Sequence, residues 1–210
     1  MGQVGVYPQS IQFPAEPVPN LNCFRKAGAF HRFHQEFKAT ANLGLTNNHI
    51  YARPFVNPKK CLISQVAIRV ITASAGKFLY WGVYDDNNTY PNRLVSQGSV
   101  SGSAAVVRIE VKDFVLNPGL YWTAIGANFA SVTHGIDMND EMMVMGMRNV
   151  VDGFTAFTDP SFLEYVSADI TAGMPDPFPV ATEVTATITC PSFWLYIERY
   201  LRKKQKGSFC

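Results

Sequence analysis

Several groups of residues in this chain have types and spacings that could do chemistry. His31 and His34 stand three apart, which on a helix would place two imidazoles on one face and could begin a metal site. The other candidate ligands, Cys23 and His49, sit at no recognised metal-binding spacing, so the histidines are read first as packing residues of an aromatic segment. The runs Asp85-Asp86-Asn87-Asn88 and Asp137 to Glu141 are rich in oxygen and could hold calcium. Both lack the central Gly and the distal Glu of a calcium loop. Asn and Asp between strands are first of all turn formers, because they tolerate positive φ. A glycosidase needs two acids projecting into one cleft. Asp137, Asp140, Glu141 and Asp152 supply carboxylates, yet their context is that of loop acids. Gly98-Ser99-Val100-Ser101-Gly102 carries the residues of a nucleophile elbow at the wrong spacing and reads as a polar hairpin. The expectation is a protein without catalytic set, metal or cofactor.

Binding chemistry is better represented. Tyr80, Trp81, Tyr84, Tyr90, Tyr121 and Trp122 are concentrated in two apolar strands. Alternate strand residues face opposite sides, so Tyr80, Gly82 and Tyr84 share one face while Trp81 and Val83 share the other. One face has to be core, and filling a sandwich is the first reading of these rings. The alternative is a glycan-stacking patch made by Tyr80, Tyr84 and Tyr90. Met138, Met142, Met143, Met145 and Met147 fall within ten residues. Methionine adapts to irregular surfaces, so core filling and a subunit contact through Met142, Met143 and Met145 both stand as readings.

The elements that must position these residues are strands. Ile50 to Val56, Leu62 to Val70, Phe78 to Tyr84, Leu94 to Val100, Val107 to Val111 and Leu120 to Trp122 are short apolar or alternating runs. Turn residues separate them at the spacing typical of an all-β sandwich. Pro54 demotes its strand to an edge or a bulge. The alternation predicts Leu62, Val66, Ile68, Val70, Leu79, Trp81, Val83, Val107, Ile109, Val111, Leu120, Trp122, Ile125, Ile188 and Leu195 as core. The expected fold is all-β: a single antiparallel, jelly-roll-like β-sandwich over residues 39–200, with a basic tail at 201–210.

Residues 1–38 are different in character. Pro8, Pro14, Pro17 and Pro19 bar a helix or a central strand from the first twenty residues. Val4, Val6, Tyr7, Ile11, Phe13 and Phe24 nevertheless persist there, which a disordered tail would lack. The expectation is an extended arm whose apolar residues contact another polypeptide. FRKAGAFHRFHQEF, from Phe24 to Phe37, fits a short helix or an irregular aromatic loop, and Gly28 weakens the helix.

The stretch FLYWGVYDDNNTYPNRLVSQG, followed by NPGLYW, resembles a β-sandwich module of phage and prophage virion proteins of the tail-fibre, spike and minor structural type. IYARPF before it, TASAG at residues 72–76, and GMPDPFP with FWLYI near the end extend the resemblance over roughly residues 40–200. The Met-rich segment from His134 to Val151 departs from the pattern. The resemblance implies a non-enzymatic component of a virion, a tail fibre, spike or capsid decoration, made in the host cytoplasm. It also implies other virion proteins as partners and a homo-oligomer, for which a trimer is one expected state. A carbohydrate-binding module that recognises host-surface glycans is the alternative.

Bulk properties agree with a binding protein. The 210 residues carry a net charge of only +2, too small to argue for nucleic acid. Charged residues are 16% against 47% hydrophobic, so much of the surface must be uncharged or in contact. No apolar run reaches the roughly 20 residues that span a bilayer, and no charged and apolar leader pattern is present. Cys23, Cys61, Cys190 and Cys210 are widely spaced, so reduced thiols are expected.

Overall fold

Val, Ile, Tyr and Trp in period-2 runs build antiparallel ladders throughout the computed structural model. It describes residues 27–31, 41–88, 90–136, 162–167, 169–184, 190–191 and 193–201. The strands are β1 (Ala29–His31), β2 (Ala41–Leu45), β3 (His49–Asn57), β4 (Cys61–Arg69), β5 (Phe78–Asp86), β6 (Pro91–Ser101) and β7 (Val107–Leu116). They continue with β8 (Gly119–Ala127), β9 (Ser131–Ile136), β10 (Phe162–Val166), β11 (Thr182–Val184), β12 (Cys190–Pro191) and β13 (Trp194–Tyr200). No helix occurs among the described residues.

A six-stranded sheet runs β11-β10-β3-β8-β5-β6 and a four-stranded sheet runs β1-β13-β4-β7. A smaller sheet, β12-β9-β2, completes the set. The two larger sheets pack as a β-sandwich. Between them lies a core that includes Ile63, Val66, Ile68, Leu79, Trp81, Ile125, Leu195 and Ile197. Pro54 pairs with Trp122 of β8, beyond the reach of β10, which pairs only with residues 49–52 of β3. Among the described residues Pro54 thus stands where β3 has a partner on one side only, the kind of place that tolerates proline in a sheet.

Three sequence expectations need correction. The first concerns faces. A register shift between Ile63 and Gln65 breaks the alternation of β4. Ile63 thus turns inward to full burial while Leu62 points outward, half-buried. An inserted residue is a standard cause of such a phase change. The second concerns β7. Val107, Ile109 and Val111 were expected in the core, yet they are 53%, 54% and 77% exposed. Their neighbours Arg108 and Glu110 pair with Ile68 and Val66, both fully buried, so the charged residues face inward. Period-2 reasoning found the strand and chose the wrong side, because apolar residues normally win the core.

The third concerns the arm. Ala29–His31 lies inside the segment expected to leave the sandwich, yet it pairs with Ile197, Tyr196 and Leu195. Of the two readings of this stretch, a short helix or an irregular aromatic loop, neither describes residues 27–31, which form a turn and a strand. Gly28, at φ 79°, supplies the left-handed turn that brings the chain onto β13. Residues 1–26 and 32–40, with Val4, Val6, Tyr7, Ile11, Phe13, Phe24 and His34, lie outside the described residues.

Candidate functional site

The outward face of the four-stranded sheet is the site that the strand pairings assemble. Phe30 sits opposite Tyr196, Tyr196 opposite Gln65, and Gln65 opposite Val111, forming one row across all four strands. Trp194, Ala67 and Ile109 form the next row, and Arg69 with Val107 the one beyond. Residues paired across a ladder share a face. The intervening residues Leu195, Ile197, Val66 and Ile68 fill the core, so these rows must point out. Phe30 and Tyr196 meet edge to face with ring centroids 5.1 Å apart. A solvated sandwich face ordinarily alternates to polar residues. Here it carries three aromatic rings and three β-branched side chains, with Gln65 and Arg69 as the polar members of those rows.

The first half of β7 is held to the sandwich by a polar link, while Phe114 and Leu116 of its second half pack into the core. The Trp81 indole Nε1–H donates to Glu110 Oε2 at 2.6 Å across the two sheets. Gly98 lies opposite Trp81 on β6. A Cβ there would fall onto the Glu110 carboxylate, so the glycine makes the space that lets an acid reach the indole. Trp81 is fully buried and flanked by Phe114 and Phe193 at ring distances of 6.1 and 6.0 Å. Arg108 donates from Nη2 to Ser103 at 3.1 Å. Its Nε is buried and has no acceptor among the described residues.

The tyrosines expected as core or glycan contacts lie on the other side of the molecule. Both faces of the six-stranded sheet are covered, not one. Ile50, Ala52, Tyr80, Tyr84, Trp122 and Ala124 form a second core with Ile170, Met174 and Phe178 from the segment that follows β10. That segment is laced down by polar bonds. The Tyr84 hydroxyl donates to the Pro175 carbonyl at 2.8 Å, and Tyr90 donates to Pro179 at 3.2 Å. Met174 N–H donates to Gln97 at 2.7 Å, and Leu94 N–H to Asp176 at 3.0 Å. Phe178 stands edge to face on Tyr84 at 5.0 Å and contacts Tyr90 at 6.4 Å. Tyr84 is fully buried, Tyr80 is 9% exposed and Tyr90 is half-buried, so Tyr84 presents no open ring face to a sugar. Burial pushes the Tyr84 hydroxyl far above the ordinary tyrosine range, with nearby Asp176 adding to the shift.

The remaining candidates separate. Asp85 accepts from Arg93 N–H at 2.7 Å and Arg93 Nη2 at 3.2 Å, and Asp86 accepts from Trp122 Nε1 at 2.8 Å. Asn88 has φ 54°, the left-handed geometry that the Asp-Asn run was read to supply. His49 Nδ1 lies 2.7 Å from Glu164 Oε1, linking β3 to β10 instead of approaching His31. Nothing in the sequence around Glu164 announces that pairing. Cys61 is a fully buried thiol with its sulfur 3.7 Å from Asn57 Oδ1. Asp137, Asp140, Glu141, Asp152 and Met142, Met143 and Met145 fall outside the described residues. No cluster of three or more metal-ligating side chains occurs among the described residues, and no described helix is long and apolar enough to cross a membrane. Compared with protein-family models and with curated proteins, the chain finds no match.

Proposed function

We propose that this chain is a non-enzymatic structural component of a phage virion that works by assembly. It joins its partners through the outer face of the four-stranded sheet and through the apolar segment that precedes β1. The observation that carries the reading is the row of Val107, Ile109 and Val111, each more than half exposed, on the same face as Trp194 and Tyr196 across β4, with Phe30 beyond them. A contiguous apolar patch of this kind on a soluble protein is a contact surface. The resemblance of residues 40–200 to virion sandwich modules supplies the particle. Residues 1–26 precede β1, an edge of the same sheet among the described residues, and their sequence carries further apolar side chains.

The test has two arms. Mass spectrometry of purified particles should find the chain in stoichiometric amount. Deleting residues 2–24 should leave cooperative melting intact and abolish incorporation. A truncated chain that assembles normally removes the arm from the proposal, and absence of the chain from particles removes the proposal itself.

A further inference from the structure

We infer that β7 pairs with β7 of a second copy of this chain, antiparallel about a two-fold axis at Ile109, joining two four-stranded sheets into one. The inference rests on β7 alone and stands whether or not the chain belongs to a virion.

β7 ends its sheet, with β4 on one side and no strand on the other among the described residues. Edge strands are usually blunted by charge on the exposed face, by bulges or by brevity. β7 is ten residues long, and Val107, Ile109 and Val111 leave the outer face of its first half uncharged. Over residues 107–111 its charges, Arg108 and Glu110, point inward, while the exposed Lys112 and Asp113 lie beyond that segment; inward charge can itself guard an edge by being stranded under a foreign strand. One partner escapes that guard. The segment Val107-Arg108-Ile109-Glu110-Val111 is a palindrome in shape and an antipalindrome in charge. Centred on Ile109, the antiparallel pairing sets Arg108 against Glu110 of the second copy twice, and Val107 against Val111 twice. Centring on Arg108 or Glu110 instead opposes like charges, which directly paired strands do not tolerate. Centring on Val111 sets Ile109 against Asp113. The charges therefore exclude the registers centred on Arg108 and Glu110, which is how specificity is built by repulsion, and the register centred on Val111 runs into the irregular stretch between Val111 and Phe114.

The side chains are also poised for it. Glu110 is fixed by Trp81 through Oε2, which leaves Oε1 available to a guanidinium. Arg108 keeps a buried Nε–H without an acceptor among the described residues. Buried donors are nearly always satisfied, and the carboxylate of the second copy is the acceptor this pairing provides. The register shift between Ile63 and Gln65 opens the β4–β7 ladder between Val111 and Phe114, ending the regular part of β7 where the palindrome ends.

Cysteine cross-linking in the full chain reads both partner and register at exposed positions that folding does not need. Directly paired Cα atoms lie about 4.5 to 5.5 Å apart, within the span of a disulfide of about 4.4 to 6.8 Å. Ile109→Cys should therefore link to its own copy under mild oxidation. Val107→Cys and Val111→Cys should each fail alone, because four residues, about 13 Å, separate each from itself in the partner. Mixed together, those two chains should cross-link. Peptide mapping identifies the joined residues and sets aside links through native thiols. Sedimentation of the unmodified chain should move from 23.3 kDa towards twice that mass as concentration rises. A higher assembly that keeps the 109 link supports the pairing. A chain that stays monomeric at every concentration, or one in which Val111→Cys links to itself as readily as Ile109→Cys, overturns it.

Discussion

Replacing Phe178 with Ala probes whether the segment over the six-stranded sheet is part of the fold or a removable cover. Phe178 is 6% exposed and sits edge to face on Tyr84, with Tyr90 on its flank. Removing a buried phenyl ring costs about 3 to 5 kcal/mol, through lost transfer energy and the cavity left behind. The lost edge-to-face pair, worth about 0.5 to 1.5 kcal/mol beyond area, is included in that range and pushes towards its upper half. The backbone bond from Phe178 N–H to the Asn92 carbonyl, 2.8 Å, survives the substitution and limits how far the segment lifts. Urea unfolding followed by tryptophan emission is the assay, since Trp122 lies in the same cluster. The midpoint should fall with little change in slope, as expected when stability changes and compactness does not. Val180→Ala, at a position 91% exposed, is the control and should stay within about 0.5 kcal/mol. A loss below about 1 kcal/mol for Phe178→Ala would refute the reasoning. It would also reopen Tyr80 and Tyr84 as a surface that a glycan could reach.

Other consequences follow from the same geometry. Glu110→Ala strands the buried Trp81 indole N–H and should destabilise the chain by about 1.5 to 3 kcal/mol in the same unfolding assay; no loss would mean that water serves the indole equally well. Gly98→Ala should cost about 1 to 3 kcal/mol, because the new methyl displaces the Glu110 carboxylate, and the double variant with Glu110→Ala should be less than additive. Stability should hold from neutral pH to about 10 and then fall. The unfolded tyrosine ionises near its ordinary 10.0, while burial keeps Tyr84 neutral well above that, so the stabilisation is present below the unfolded value and lost as pH rises. Tyr84→Phe should flatten part of that alkaline loss, and an unchanged profile would remove Tyr84 as its source.

Much of the fold was legible because strand periodicity and turn chemistry agree. The strands around Ile50, Leu62, Phe78 and Leu120 stand where alternation and turn residues put them, and Asn88 takes the left-handed conformation its type allows. Trp81, Trp122 and Ile125 are buried as their positions implied. Apart from β1, a strand inside the expected arm, what failed to show was a matter of sides. β5 has apolar residues on both faces, and its sequence does not say that a distant proline-rich segment covers the second one. In β7 Val107, Ile109 and Val111 face out, because Glu110 serves the indole of a tryptophan 29 positions away in sequence. Between Ile63 and Gln65 β4 carries one residue more than β13, and this exchanged Leu62 for Ile63 in the core. Each exception is set by a long-range partner, and local pattern carries no trace of it. The apolar outer face went unnoticed for the same reason: Phe30, Tyr196, Trp194 and Ile109 become neighbours only through strand pairing.

Hydroxyl-radical footprinting of the chain, free and assembled, tests most directly whether the outer face of the four-stranded sheet is where it meets its partners. In the dilute, isolated chain Ile109, Val111, Trp194, Tyr196 and Phe30 should be oxidised, while Trp81, Tyr84 and Trp122, each fully buried, stay silent. In the particle, the first group should be protected several-fold and the second should not change. Undiminished oxidation of Ile109, Val111 and Trp194 on assembly would contradict the account, whatever else became protected.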